Sequence, residues 1–201
     1  MEGRILLVDD DELLTAAWAR VLRAAQISVE IANSAEEAEK KLACATYAVV
    51  LVDLRLNDGE SGAELVDILR RLPTRPAVAV VSGFLDSAKV AELCDGTDIF
   101  VPKPLKDGAL IQVVQFLLAK SAGREPLGAF CREHGLSPRE REVLTAAARG
   151  RQNKQIAVEL GCEVSTVTTY WGRIFDKVGC RSRHEVLAAL FRSHATTERL
   201  R

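Results

Sequence analysis

The stretch VVLVDLRLNDGESGAEL, residues 49–65, decides the fold of this chain. It opens with a continuous apolar run, reaches Asp53, crosses a polar loop and enters a helical pattern that we predict over residues 62–72. A strand that is apolar at every position is typical of a parallel sheet covered on both faces. The stretch therefore predicts one strand and one helix of a layered α/β domain.

The same unit recurs along the first part of the chain. Short apolar runs alternate with amphipathic stretches, and this alternation predicts an α/β fold with a five-stranded parallel, doubly wound sheet. We predict strands at residues 5–8, 29–32, 48–52, 77–81 and 99–101, and helices at 11–25, 35–44, 62–72, 86–94 and 106–120.

The second part of the chain is predicted to be all helical. Glycine and proline interrupt the apolar periodicity after residue 120, so we interpret residues 121–135 as a linker with a short helix around 127–134. Ser137, followed three positions later by Glu140, forms a capping-box pattern that opens the next helix. Further helices are expected at 153–160, 164–178 and 183–193. The predicted domains are residues 1–120 and 136–201, the latter with four helices.

The two parts carry opposite charge. Residues 1–120 contain 13 Lys and Arg against 19 Asp and Glu, which gives −6. Residues 121–201 contain 14 against 9, which gives +5 and agrees with the whole-chain charge of −1. A basic domain suits a polyanion such as DNA, and an acidic domain suits a cation site or a protein partner.

Apolar runs and cysteines limit the class of protein. The longest apolar run, residues 47–52, is far shorter than the roughly 20 residues of a membrane span. We therefore expect a cytoplasmic protein with no membrane contact. The five cysteines are widely spaced and form no CxxC pair, so we interpret them as reduced thiols.

Polar residues stand where the predicted strands end. The carboxyl ends of parallel strands share the sheet edge at which such folds bind ligands. One pocket is therefore expected from Asp9, Asp10, Asp53, Ser82 and Lys103. Three carboxylates at close range repel one another unless a cation neutralises them, and oxygen ligands with room for water favour Mg²⁺. With the metal bound, Asp53 is placed to act as a nucleophile toward a phosphoryl group.

The segments ILLVDDDELL, VVLVDLRLNDGESGAEL, VAVVSGF and FVPKPL resemble, in order and spacing, the receiver domains of two-component response regulators. The resemblance covers about residues 3–120 and implies a flavodoxin-like fold like that of CheY. It implies that Asp53 is the phosphoacceptor. It also implies a magnesium site formed by Asp9, Asp10, Asp53 and the backbone carbonyl of Arg55.

The same resemblance assigns the residues around the phosphoryl group. Ser82 and Lys103 are implied to hold the phosphate, and Phe100 to be the aromatic switch residue. The bond between Lys103 and Pro104 is implied to be cis, and Asp11 is interpreted as a helix cap. The chain departs from the pattern in three places. The loop of residues 53–62 lacks the usual proline and is one residue longer, the region of the predicted fourth helix is about one residue shorter, and serine replaces threonine at 82.

Residues 136–190 resemble a LuxR/FixJ-type helix-turn-helix domain. Residues 153–160 match its supporting helix, and 164–178 match the recognition helix presented to the major groove. The recognition helix is unusually neutral, because the family commonly has lysine at the positions of Ser165 and Thr168. We expect Trp171 to pack in the core. Candidate DNA contacts are Lys154, Ser165, Thr168, Thr169, Arg173, Lys177, Arg181 and Arg183, each of which could equally belong to an ordinary solvated face.

These resemblances imply a response regulator that controls transcription. A partner histidine kinase is expected to phosphorylate Asp53, and the phosphate is expected to control formation of a homodimer that binds double-stranded DNA. Enzymatic turnover is not expected beyond slow autodephosphorylation.

Three alternatives use the same residues. The first keeps the receiver and makes the second domain a protein-binding output module, since its recognition helix is poor in lysine. The second is a magnesium-dependent phosphohydrolase. Haloacid-dehalogenase-like hydrolases place their nucleophile in a DxD pattern after the first strand, whereas adjacent acids end that strand here. The third, a dinucleotide enzyme, lacks a GxGxxG motif after the first strand.

Overall fold

A computed structural model describes residues 3–56, 60–83 and 97–197. Its main sheet has five strands in the order β2-β1-β3-β6-β7, and every pairing is parallel. These strands are β1 Ile5–Val8, β2 Val29–Ala32, β3 Val49–Val52, β6 Ala77–Ser82 and β7 Ile99–Pro102. The predicted doubly wound parallel sheet is confirmed.

Four described helices pack against this sheet: α1 Glu12–Ala24, α2 Ala35–Cys44, α3 Gly62–Arg71 and α4 Asp107–Ser121. Because successive strand residues point to opposite faces, Leu7 joins one apolar core and Leu6 the other. The core of Leu7 includes Trp18 of α1, and the core of Leu6 includes Leu65 of α3. The helix predicted over residues 86–94 lies outside the described residues.

The loop after β3 contains structure that the sequence did not predict. Arg55–Leu56, β4, pairs antiparallel with Glu60–Ser61, β5, in a two-stranded ladder. Leu56 is almost completely buried and joins the same core as Leu65. The described ends of this loop thus pair with each other between β3 and α3.

Helix caps begin the helices where the sequence indicated. The Asp11 carboxylate accepts a hydrogen bond from the Leu14 amide at 2.9 Å, which confirms its role as the cap of α1. The capping box of Ser137 and Glu140 is also confirmed, since each side chain accepts from the other residue's amide. Both caps satisfy amides that a helix N-terminus leaves without partners.

The second part of the chain is helical, as predicted. Its helices are α5 Pro126–Glu133, α6 Pro138–Ala148, α7 Asn153–Leu160, α8 Val164–Val178 and α9 Arg183–Thr197. Gly161, which ends α7, has φ +62°, a conformation that suits glycine and redirects the chain toward α8. The segment interpreted as a linker contains α5, whose Phe130 and Cys131 are 1% and 3% exposed. Residues 121–135 are therefore partly built into the core.

The last helix packs against the last helix of the receiver-like part. The rings of Phe116 in α4 and Phe191 in α9 meet edge to face with centroids 5.3 Å apart. Phe116 is 3% exposed, and the core that contains Leu7 continues into the buried residues of the second part. Helix α4 is apolar on most of its circumference, DGALIQVVQFLLAKS, as expected for a helix covered on two sides.

Two simpler expectations concern the cysteines and membranes. Cys44, Cys131, Cys162 and Cys180 are free thiols, and Cys94 lies outside the described residues. No helix within the described ranges combines the length and the apolar character that crossing a bilayer requires.

Candidate functional site: an acidic pocket and a recognition helix

The sheet topology brings the ends of β1, β3, β6 and β7 together. Val8 and Val52 are partners in neighbouring strands, so the residues that follow them, Asp9 and Asp53, leave the sheet side by side. Ser82 ends β6, and its carbonyl accepts a hydrogen bond from the Lys103 amide at 3.0 Å. The predicted cis bond between Lys103 and Pro104 is present. The pocket expected from strand ends therefore forms at one edge of the sheet.

Lys103 joins the two central acids. Its Nζ lies 2.6 Å from Asp9 Oδ2 and 2.5 Å from Asp53 Oδ2. The second oxygen of each carboxylate accepts a backbone hydrogen bond, from the Asp11 amide at 3.1 Å and from the Arg55 amide at 3.2 Å. All four carboxylate oxygens thus face donors, as charged groups of low exposure require.

Burial and pairing shift the ionisation of this cluster. Burial raises the pKa of Asp9 above its usual range, even though hydrogen bonds from Lys103 and the Asp11 amide act in the opposite direction. Burial alone would lower the pKa of Lys103, but its hydrogen bonds to Asp53 and Asp9 outweigh burial and raise that pKa. Lys103 is therefore a permanent cation next to Asp53.

The donor set suits a hard divalent cation. No group of three acidic, histidine or cysteine side chains converges on one point among the described residues. The Asp9 and Asp53 carboxylates nevertheless lie close enough together to contact the same group, the Lys103 ammonium. Oxygen ligands of this kind are those that Mg²⁺ prefers. The residues present fit the metal.

Two neighbours of the pocket were not predicted to matter. Trp18 lines the same small cavity as Asp9 and Asp53, beneath the carboxylates. Gly62 begins α3 so close to the pocket that an added Cβ would overlap the carbonyl oxygen of Asp53 and lie 2.9 Å from Leu54 Cα. The sequence did contain a signal that could have identified Gly62, since a glycine stands at the predicted start of a helix there. No local signal marks Trp18, which is remote in sequence from Asp53.

We expect Gly62→Ala to slow phosphorylation of the pocket at least tenfold. The added methyl group must displace the backbone of Asp53 or the start of α3, and overpacking of this kind costs about 1–3 kcal/mol of stability. Rates of phosphate incorporation and urea unfolding curves measure the two effects. Gly108→Ala is the matched control, because nothing lies within 4 Å of its added Cβ. Equal rates for both variants would contradict the expectation.

Phe100 and Arg55 occupy the places that the sequence predicted. The Phe100 side chain is 9% exposed and joins the core that contains Leu65, so it points inward. Arg55 lies in β4 directly after the pocket. Their roles as switch residue and carbonyl ligand remain predictions, as does the metal-binding role of Asp10.

The recognition helix α8 presents the predicted faces. Val167 and Ile174 are fully buried, and Trp171 is 4% exposed, which confirms its predicted packing. The indole nitrogen of Trp171 donates to Asn153 Oδ1 at 3.1 Å, and its ring stacks on Phe175. The side chains on the opposite face are exposed: Ser165, Thr168, Thr169 and Arg173.

Two of the predicted DNA contacts, Lys177 and Arg183, also make contacts inside the domain. Lys177 Nζ lies 2.7 Å from Glu140 Oε2 and 2.9 Å from the carbonyl oxygen of Gly135. Burial by itself raises the pKa of Glu140, but the hydrogen bonds from Lys177 and Ser137 outweigh it, so the pKa is lowered. Glu140 is therefore a carboxylate that anchors Lys177 to the start of α6.

Arg183 is held in a similar way. Its guanidinium donates to the carbonyl oxygens of Ala147 and Arg151 and lies 5.7 Å from the ring centroid of Trp171. Burial lowers its pKa. These contacts give Lys177 and Arg183 structural roles, although Lys177, like Lys154 and Arg181, is exposed. DNA contact by any of the four stays a prediction.

Two family models match the chain. The response regulator receiver domain matches residues 5–115, and the luxR family of bacterial regulatory proteins matches residues 134–190. The transcriptional regulatory protein FixJ of Azorhizobium caulinodans is 30% identical over 90% of this chain and 88% of its own. The transcriptional regulatory protein LiaR of Bacillus subtilis is 26% identical over 95% of this chain and 98% of its own.

Solved structures agree. A CheY-like receiver domain from Methanospirillum hungatei has a TM-score of 0.57 and 27% identity over 61% of this chain and 98% of its own. Full-length FixJ from B. japonicum has a TM-score of 0.55 and 23% identity over 98% of both chains, which shows a shared fold. The matches favour a DNA-binding output over a protein-binding module and a regulator over an enzyme. The chain belongs to the response regulators of two-component systems, in the branch that joins a receiver domain to a LuxR-type DNA-binding domain and regulates transcription.

Proposed function

We propose that a histidine kinase phosphorylates Asp53 and that the phosphate controls dimerisation and DNA binding of this protein in the cytoplasm. The observation that carries the proposal is the contact of the Lys103 ammonium with both Asp9 and Asp53 at the carboxyl edge of the sheet. A carboxylate that is 8% exposed, beside a fixed cation, is placed to receive a phosphoryl group.

The chain's own residues divide the work of this transfer. A carboxylate oxygen of Asp53 forms a bond to phosphorus as the bond from phosphorus to the donor histidine nitrogen breaks. Lys103 supplies positive charge to the phosphoryl oxygens, and the Ser82 hydroxyl donates a hydrogen bond to one of them. Asp9, Asp10, Asp53 and the Arg55 carbonyl would hold Mg²⁺, which neutralises charge on the transferred group.

A physical route leads from the pocket to the DNA-binding domain. Lys103 follows β7, and α4 begins four residues later at Asp107. The outer face of α4 packs on α9 through Phe116 and Phe191. A phosphoryl group on Asp53 replaces the carboxylate as the partner of Lys103 and therefore acts on the segment that leads from β7 into α4. The packing of α4 on α9 carries the change to the second domain. Phe100 in β7 is the aromatic residue on this route.

Lys103→Ala tests the route. We expect the variant to accept phosphate from acetyl phosphate with Mg²⁺ while losing the rise in mass and in DNA affinity that phosphorylation produces in the natural protein. The reason is that the phosphoryl group then lacks the cation that links it to β7. Light scattering measures mass, and a gel-shift titration measures affinity for duplex DNA.

Lys106→Ala is the matched control, because Lys106 is exposed and makes no side-chain cap at the start of α4. It should dimerise on phosphorylation like the natural protein. A Lys103→Ala protein that still dimerises fully on phosphorylation would remove Lys103 from the route. A natural protein that gains neither mass nor DNA affinity on phosphorylation would overturn the proposed function.

A further inference from the structure

The exposed face of the recognition helix is short of charge and rich in methyl groups. Ser165, Thr168, Thr169 and Gly172 are exposed and uncharged, and we call them, with Val164, the threonine face. Val164 is 40% exposed in the first turn of α8. Residues in the N-terminal turns of a recognition helix are those that contact base edges. The threonine face therefore stands where sequence is read.

The two threonine hydroxyls already donate their protons within the helix. Thr168 Oγ1 donates to the Val164 carbonyl at 3.1 Å, and Thr169 Oγ1 donates to the Ser165 carbonyl at 3.0 Å. Each hydroxyl has one proton to give and two lone pairs. What the two side chains offer a ligand is consequently a methyl group and an oxygen that accepts.

The methyl groups are what can distinguish the two kinds of base pair. In the major groove both pairs show an amino donor, adenine N6 or cytosine N4, but only the A·T pair shows the thymine C5 methyl group, and guanine shows the two acceptors N7 and O6. Guanine is usually contacted by Arg or Lys, and the threonine face has neither. Arg173, whose guanidinium lies 6.0 Å from the ring centroid of Tyr170, is one turn beyond Thr169 and so follows the N-terminal turns that contact base edges.

We propose that the threonine face reads A·T base pairs through the C5 methyl groups of thymine, with Thr168 and Thr169 as the specificity-determining residues. The inference rests on the proposed function, because it assigns the bases that the DNA-binding domain prefers. Burying a methyl-sized group is worth about 0.8 kcal/mol, which corresponds to roughly fourfold in affinity. Each contacted thymine should therefore contribute about that factor.

The test uses the phosphorylated full chain and a duplex selected by it from a random pool. Selected half-sites should be rich in A·T pairs. Replacing single thymines by deoxyuridine, which lacks the C5 methyl group, should weaken binding about fourfold at one or more positions of each half-site. Thr168→Ser and Thr169→Ser, which also lack a methyl group, should bind the thymine duplex more weakly and lose the distinction between thymine and uracil at one position each. Thr168→Val, which keeps a methyl group, should retain the distinction between thymine and uracil.

Thr145→Ser is the matched control. Thr145 Oγ1 donates to the carbonyl four residues earlier, at 2.7 Å, in the same geometry, but it lies on α6. The Thr145→Ser variant should bind the selected duplex with the same affinity as the natural protein. Two outcomes would overturn this inference while leaving the proposed function intact. One is equal affinity for thymine and uracil duplexes at every position, and the other is selected half-sites in which guanine is the specified base. Failure of the phosphorylated protein to select any duplex would instead overturn the proposed function.

Discussion

Replacing Asp53 with asparagine is expected to reduce phosphate incorporation from acetyl phosphate or a histidine kinase to background. An amide oxygen is too poor a nucleophile to form the acyl phosphate, so the reaction loses its acceptor. The fold should persist, because the amide oxygen of asparagine can still accept from one of the two donors that contact Asp53, Lys103 or the Arg55 amide, and asparagine has nearly the same shape as aspartate. Labelling with radioactive phosphate, followed by release with hydroxylamine, measures the acyl phosphate.

Asp11→Asn provides the control for a general effect of lost negative charge. Asp11 lies at the same edge of the sheet, but its side chain caps α1, a role that asparagine performs equally well. This variant should incorporate phosphate as the natural protein does. Hydroxylamine-sensitive labelling that persists in Asp53→Asn would show that another residue accepts the phosphate and that the pocket has been misassigned.

Glu140→Ala is expected to destabilise the DNA-binding domain by about 2–3 kcal/mol. Glu140 is 2% exposed, and its carboxylate accepts from Lys177 and from the Ser137 amide, each at 2.7 Å. Removing it leaves a buried amide and a partly exposed ammonium without their acceptor. Chemical denaturation of the full chain measures the loss.

Glu142→Ala is the control on the same helix. Its salt bridge to Arg139, at 2.8 Å, is about half exposed on both sides, so its removal should cost less than about 1 kcal/mol. Equal losses for the two variants would contradict the anchoring role of Glu140. Because the pKa of Glu140 is lowered from 4.5, its stabilisation is present at neutral pH and is lost only as the pH falls below 4.5 through the lowered pKa.

The packed contact between α4 and α9 bears on how the two domains communicate. Phe116 is buried by α9, so the outer face of α4 and the last helix of the DNA-binding domain cover each other. The core that contains Leu7 extends across this contact, which is the route proposed above for communication between the domains. Helix α5, between the two domains, adds to this packing through Phe130 and Cys131.

Local pattern predicted most of the secondary structure. The five long strands fall within one or two residues of their predicted ends, because continuous apolar runs stop where the chain leaves a buried sheet. The β4 and β5 pair was missed because two-residue strands have no measurable periodicity. Helix α9 extends to Thr197, four residues beyond its predicted end at residue 193.

The sequence by itself determined the two domains, their order, and the set of acids, serine and lysine that end the strands. These follow from backbone geometry, since apolar periodicity and strand ends depend on residues close together in the chain. Only the tertiary structure decided that Lys103 joins Asp9 and Asp53, that Glu140 holds Lys177, that Arg183 lies over the ring of Trp171, and that α4 packs on α9. Apart from Arg183 and Trp171, the partners in these contacts lie tens of residues apart, and even that pair belongs to two different helices. Every one of these contacts therefore exists only because separate elements pack against one another.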